Sequence, residues 1–234
     1  MKRIIGKKMH CDQCDTTLSG MGIYHIDQLN PDMVDVSKMP MRFGWAASTV
    51  AARRAGGFVP YRWLDIGSYT GSMAIIAART KLNPSEPKNA HVRTVVDAIE
   101  TNKEAFGILD AMANENTDTL TINAFNVHFE DFETDKQYSV ITAFEILEHT
   151  KDPLFCVEKI YDLLEIGGIL FVTVPEENGA HYGVQDHNPW HYWTTTIQSM
   201  VGIMFRDERR WHIVQIFESD GLIHAEIHKR VLTL

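Results

Sequence analysis

Two carboxylates and a histidine fall within five positions at Glu145, Glu148 and His149, inside the run AFEILEHTKDP. Groups of these types at this spacing can take up a proton, orient a hydroxyl or hold a divalent cation. Further imidazoles follow at His181, His187 and His191 in GAHYGVQDHNPWHYWT, each able to act as a base near neutral pH. Upstream, Asp65-Ile66-Gly67-Ser68-Tyr69-Thr70-Gly71 sets an acid beside two glycines. Gly67 permits a tight turn, and Gly71 lets a helix start lie close to a ligand. Tyr69 occupies the place where a strict G-x-G has its second glycine, which favours a nucleoside over a dinucleotide pyrophosphate. Asp97, closing HVRTVVD, is a carboxylate suited to two vicinal ribose hydroxyls; capping a helix is its alternative use. Cys11-x-x-Cys14, with His10 and His25 nearby, carries zinc-ligand types, but one such pair alone reads as two free thiols.

These residues need elements to position them. The segment 61–66 (YRWLDI) reads as a strand stopped by Gly67, followed by a helix over 70–79, a strand over 91–97 ending at Asp97 and a helix over 100–113. Extended stretches lie within 120–132. A strand over 138–144 (YSVITAF), a helix over 153–164 ended by Gly167-Gly168 and an apolar strand over 169–174 closed by Pro175 complete the alternation. Strands apolar throughout, separated by helices, indicate a mostly parallel sheet covered on both faces, a doubly wound α/β domain. The end differs: after a helix over 195–204, segments 211–218 and 222–228 flank Ser219-Asp220-Gly221, an antiparallel hairpin signal that makes seven strands in all. At the other end, residues 1–41 read as an irregular arm and 45–55 as a short helix ended by Gly56-Gly57. The division expected is 1–57, an arm and helix able to act as a lid, and 58–234, the sheet domain. Ligands of open α/β sheets bind outside the carboxyl ends of the strands, which puts the Asp65 turn, Asp97 and the Glu145–His149 cluster along one edge.

Composition narrows the chemistry. With 44% hydrophobic residues the chain can bury a core, and a net charge of -9 disfavours nucleic acid as a partner. Three cysteines cannot build a disulfide framework, which points to a reducing, cytoplasmic setting. The longest apolar run noted, residues 73–78, is far short of a membrane span. The oligomeric state is left open.

The order DIGSYTG, then VVD about thirty residues on, then AFEILEHTKDP and LLEIGGILFVTVP resembles the class I S-adenosylmethionine-dependent methyltransferases. Within that class it is most similar to the branch of the ubiquinone-biosynthesis O-methyltransferases, over roughly residues 58–196. The resemblance implies a Rossmann-like fold with an antiparallel last strand, S-adenosylmethionine as cofactor and S-adenosylhomocysteine as product. It implies that Asp65, Gly67, Ser68 and Gly71 line the methionine and ribose end, that Asp97 holds the ribose, and that Ala98 and Phe129 flank the adenine. Phe144 and Glu145 would lie beneath the methionine. The acceptor implied is a small molecule methylated at oxygen, with His149 and His191 as catalytic candidates. Two departures stand out: Tyr69 in the turn, and Ser139 where an Asp commonly follows the aromatic residue of the fourth strand.

Other readings stay open. Glu145, Glu148 and His149 followed by a distant His also resemble the metal site of small-RNA 2′-O-methyltransferases, which would bring in Mg²⁺; here Pro189 stands where that His is expected. A non-catalytic nucleoside-binding subunit keeps the same turn and acid. A nicotinamide dehydrogenase is disfavoured by Tyr69 and the terminal hairpin.

Overall fold

The computed structural model describes residues 41–55, 57, 62–79, 94–114, 121–176, 192–193, 195–219 and 221–230. Seven strands form one sheet in the order β3-β2-β1-β4-β5-β7-β6. β1 (Arg62–Ile66) lies at the centre, with β2 (Val95–Ile99) and β3 (Thr121–Phe125) on one side. β4 (Tyr138–Phe144) and β5 (Leu164–Pro175) lie on the other, all five being parallel. The chain thus steps outward from β1 to β3 and then crosses back to β4, which makes the β1–β4 boundary the topological switch point. β6 (Trp211–Ser219) and β7 (Leu222–Lys229) form the antiparallel hairpin, β7 pairing with both β5 and β6, as expected for a doubly wound sheet ended this way.

Alternation decides which face each residue enters. Leu64, Ile141, Leu170 and Ile227 face one layer with α4 (Pro153–Leu163) and the turns of α5 (Ile197–Ser199), which widen into a π-helix over Met200–Met204. Trp63, Val96, Val140 and Phe171 face the other, with α1 (Met41–Ala55), α2 (Ser72–Arg79) and α3 (Lys103–Asn114). α4 starts where Asp152 accepts the Phe155 N–H at 2.9 Å and Pro153 fills the first turn.

Three boundaries differ from the sequence reading. α1 begins at Met41, so the Met- and aromatic-rich stretch belongs to a helix packed on the sheet through Ala46 and Val50. β5 begins at Leu164, five residues early, because Gly167 at φ 76° lets the strand absorb an irregularity instead of ending the helix there. β2 ends at Ile99, not at Asp97, with consequences for the site. Among the described residues no helix is long and apolar enough to cross a membrane.

Candidate functional site

The turn after β1 is held from within. Asp65 is buried, accepts hydrogen bonds from the Ser68 hydroxyl and, at 2.7 Å, the Thr142 hydroxyl, and Thr142 Oγ1 in turn accepts the Trp63 indole N–H at 3.0 Å. The Ser68 N–H reaches across to the Ile99 carbonyl at 2.8 Å, fastening the turn to the end of β2. Gly67, Tyr69 and Gly71 all sit in the left-handed region, at φ 72°, 51° and 87°. Tyr69 therefore keeps the backbone conformation a glycine would adopt there, at a cost of about 1–2 kcal/mol for an L residue. Gly67 is required twice over, because a Cβ on it would also run into the Ile146 side chain.

Burial pushes the Asp65 carboxyl up to about 6, against the opposing hydrogen bonds from Ser68, Thr142 and the Ala74 N–H. The folded state thus holds the proton more tightly than the unfolded chain. Its stabilising effect is complete below about pH 4 and lost as pH rises through about 6. Asp65→Asn removes that dependence. The stability difference between wild type and variant, from urea midpoints, is expected to move against the wild type by on the order of 2–3 kcal/mol between pH 4 and 7. A difference that stays flat across that range overturns this account.

The acid at the end of β2 is Glu100. Asp97 lies inside the strand, opposite Leu64, with its side chain turned into the α4 layer. There it accepts from the Tyr138 hydroxyl at 2.6 Å, the Asn123 amide at 2.6 Å and the Lys136 ammonium at 2.9 Å. These donors allow a carboxylate to sit within a strand, so the reading that β2 stops at Asp97 is corrected. Glu100 follows Ile99 directly. Its Oε2 accepts the Tyr69 N–H at 2.7 Å and its Oε1 the Asn102 N–H at 2.6 Å, which binds it to both the β1 turn and the start of α3. Burial pushes its carboxyl above the usual carboxylate range, against those backbone N–H bonds. The clue in sequence was Asn102, whose Oδ1 accepts the Glu104 and Ala105 N–H groups at 3.0 Å and so caps α3 two residues after Glu100.

Two more expected residues are placed away from this edge. Ala98 is fully buried beside Asp65 and Ala124, in the layer of α1–α3. Phe129 opens a short 3₁₀ turn beyond β3 and is buried in the α4 layer with the Lys159 ammonium over its ring at 5.4 Å. Asn126, whose amide bonds the Glu100 carbonyl at 2.7 Å, and Val127 stand nearer the end of β3.

At the end of β4 the ring of Phe144 meets Phe43 of α1 at 5.8 Å. Glu145 takes φ 54°, donates its N–H to Thr173 at 2.8 Å and places its carboxylate 3.1 Å from the Arg42 guanidinium. Arg42 was not singled out from sequence, and only the docking of α1 brings it here. Glu148 is buried and His149 half-buried in a 3₁₀ turn over Leu147–His149. Exposed Tyr192 and Trp193 are fastened to that turn, by Tyr192 N–H to Glu148 O at 2.8 Å and the Trp193 indole to Thr150 O at 2.9 Å. Among the described residues no three of His, Cys, Asp and Glu gather as a metal site. His181, His187, His191, Cys11 and Cys14 lie outside the described residues.

A family model described as a methyltransferase domain matches residues 42–222. The chain is similar to the ubiquinone biosynthesis O-methyltransferase of Aeromonas salmonicida (strain A449), 29% identical over 143 residues covering 61% of this chain and 53% of that protein. The protein of the same name from Shewanella sp. (strain ANA-3) is 24% identical over 167 residues, covering 64% and 63%. The chain thus spans less than two thirds of the length of these relatives. Among solved structures, the plantazolicin methyltransferase BpumL in complex with SAH superposes with a TM-score of 0.61 at 16% identity, over 87% of this chain and 92% of that one. The N-methyltransferase NodS from Bradyrhizobium japonicum WM9 in complex with S-adenosyl-L-homocysteine gives 0.56 at 13% identity, over 86% and 94%. At such identities the likeness is one of fold.

Proposed function

The chain belongs to the family of methyltransferase domains, and on that premise we propose that it carries a methyl group from S-adenosylmethionine to the oxygen of a small-molecule acceptor. The observation that carries the reading is the buried Glu100 carboxylate at the switch-point edge, joined through the Tyr69 N–H to the left-handed turn of Gly67 and Gly71. The donor set suits the cofactor: an anionic acceptor for a ribose diol stands beside a glycine-bearing turn, with Asp65 holding that turn in shape. Glu100 therefore takes the ribose role first assigned to Asp97, and Asn126 and Val127 replace Ala98 and Phe129 beside the adenine. Gly67, Ser68 and Gly71 keep the methionine and ribose end, with Phe144 and Glu145 beneath it.

S-adenosylmethionine supplies an electrophilic methyl group on a sulfonium and leaves as S-adenosylhomocysteine. The oxygen–carbon bond forms as the carbon–sulfur bond breaks, so the chain's work is alignment, exclusion of water and removal of the acceptor's proton. His149, on the turn after β4, receives that proton in our reading, with His191 as the second candidate. The arm and helix of residues 1–57 serve the acceptor side and residues 58–234 the cofactor. Oxygen as the accepting atom is supported by the names of the curated relatives, and nitrogen is its competitor through NodS. Three cysteines support a cytoplasmic setting.

Isothermal titration with S-adenosylmethionine and S-adenosylhomocysteine, with NAD as control, tests the premise. Micromolar binding of the first two alone is expected, followed by product formation in a screen of hydroxyl and amine acceptors with and without Mg²⁺. Absence of binding to both overturns the proposal.

A further inference from the structure

α1 is joined to the sheet by two arginines that point the same way. Arg42 and Arg53 are eleven residues apart, close to three helical turns, so they share one face at about 16 Å along the axis. Each meets a carboxylate of the sheet: Arg42 meets Glu145 after β4, and Arg53 meets Glu226 in the middle of β7. Between them α1 is held by apolar contacts. Trp45 packs edge-on against Phe171, Phe217 and His224, with centroids 5.1, 5.4 and 5.6 Å away, and Ala46 and Val50 are fully buried. Contacts of that kind resist removal of the helix but set its position along the sheet weakly, because dispersion is not directional.

Glu226 is the anomaly in that layer. Its side chain is 4% exposed, and its register partners are Phe171 and Gln215. A carboxylate there is costly unless paired, and Oε1 receives both the Arg53 guanidinium and His228 Nε2, the latter at 2.9 Å. An apolar residue would cover Phe171 as well, so retention of the charge calls for a use beyond adhesion. The only directional link between the distal half of α1 and the sheet, among the described residues, is this one.

We propose that Arg53 and Glu226 are a positioning pair: their ion pair at the far end of α1 fixes where Arg42 and Phe43 stand over Glu145 and Phe144. They touch no reacting group and act through the helix. The effect on ligand affinity rests on the methyltransferase reading, whereas the effect on α1 does not.

The test uses the full chain with Glu226→Gln, Arg53→Lys and the apolar double variant Arg53→Met with Glu226→Leu. Three quantities are read in each: hydrogen exchange at the amides of residues 45–48, the first that the hydrogen bonds of α1 protect, the urea midpoint, and S-adenosylhomocysteine affinity. Glu226→Gln is expected to speed exchange at those amides about ten-fold while core strands exchange as before, and to weaken S-adenosylhomocysteine about five-fold. Arg53→Lys is expected to keep most of both. The double variant separates position from adhesion, because two apolar side chains can preserve the midpoint while removing the directional contact. Unchanged exchange at residues 45–48 in the double variant, or acceleration spread equally over the whole sheet, overturns the proposal. If wild type binds no S-adenosylhomocysteine, the methyltransferase reading falls and the exchange rates still decide the role of the pair. If Glu226→Gln fails to fold, the double variant alone decides it.

Discussion

Glu100→Gln is expected to weaken S-adenosylhomocysteine binding by about 100-fold, near 3 kcal/mol, while the protein remains folded. Two effects combine. A carboxylate receiving two ribose hydroxyls makes two charge-assisted hydrogen bonds, each stronger than its neutral counterpart. In addition, both Glu100 oxygens already accept a backbone N–H, from Tyr69 and from Asn102. An amide can satisfy only one of these, because its NH₂ must face the other N–H as donor against donor. The turn after β1 and the start of α3 are thereby pushed apart where the nucleoside should sit. Only the ionised carboxylate can accept from all these donors, and burial has raised its pKa, so wild-type affinity should also fall as pH is lowered, at higher pH than for an exposed Glu. Titration calorimetry at pH 7.5 and at lower pH reads both effects. Unaltered affinity in the variant would return the ribose role to another residue.

Much of this fold was legible because its strands are short, apolar and separated by glycine or proline. The seven buried residues of β4 and the hairpin around Gly221 were both visible as patterns, and so was the turn after β1. The end of β2 was not, and the reason is physical. An acidic residue in a run of apolar ones normally marks where burial stops, and Asp97 was taken that way. Its three partners come from β3, from β4 and from Lys136 just before β4, 26 to 41 positions downstream, and nothing local announces them. Arg42 was hidden for a related reason. A cation in the first turn of a helix is ordinary, and it becomes part of the site only through the packing of Phe43 on Phe144 and Trp45 on Phe171. Tyr69 shows the opposite: a departure visible in sequence that leaves the backbone of the turn in its left-handed form.

Asp97→Ala separates the two acids experimentally, since its expected effect is on folding. The substitution removes the acceptor shared by a buried tyrosine hydroxyl, an amide and an ammonium. Tyr138 is fully buried, and burial together with Asp97 holds its hydroxyl protonated far above neutral pH, so it cannot escape the loss by ionising. Lys136 is about one third exposed and can turn to water, which limits its share. Leaving the hydroxyl and the amide without an acceptor, and a hole beside β4, should cost about 3–5 kcal/mol in urea denaturation. Tyr138→Phe removes one donor and leaves the carboxylate with Asn123 and Lys136, so its cost should be smaller, about 1–2 kcal/mol. The two losses should not add in the double variant, because they share one network. Where enough Asp97→Ala remains folded, its affinity for S-adenosylhomocysteine should stay within a few-fold of wild type, because the carboxylate faces the α4 layer and not the strand ends. An unchanged midpoint with abolished binding would reverse the assignment and make Asp97 the ribose acid, leaving Glu100 as a clasp between the turn and α3.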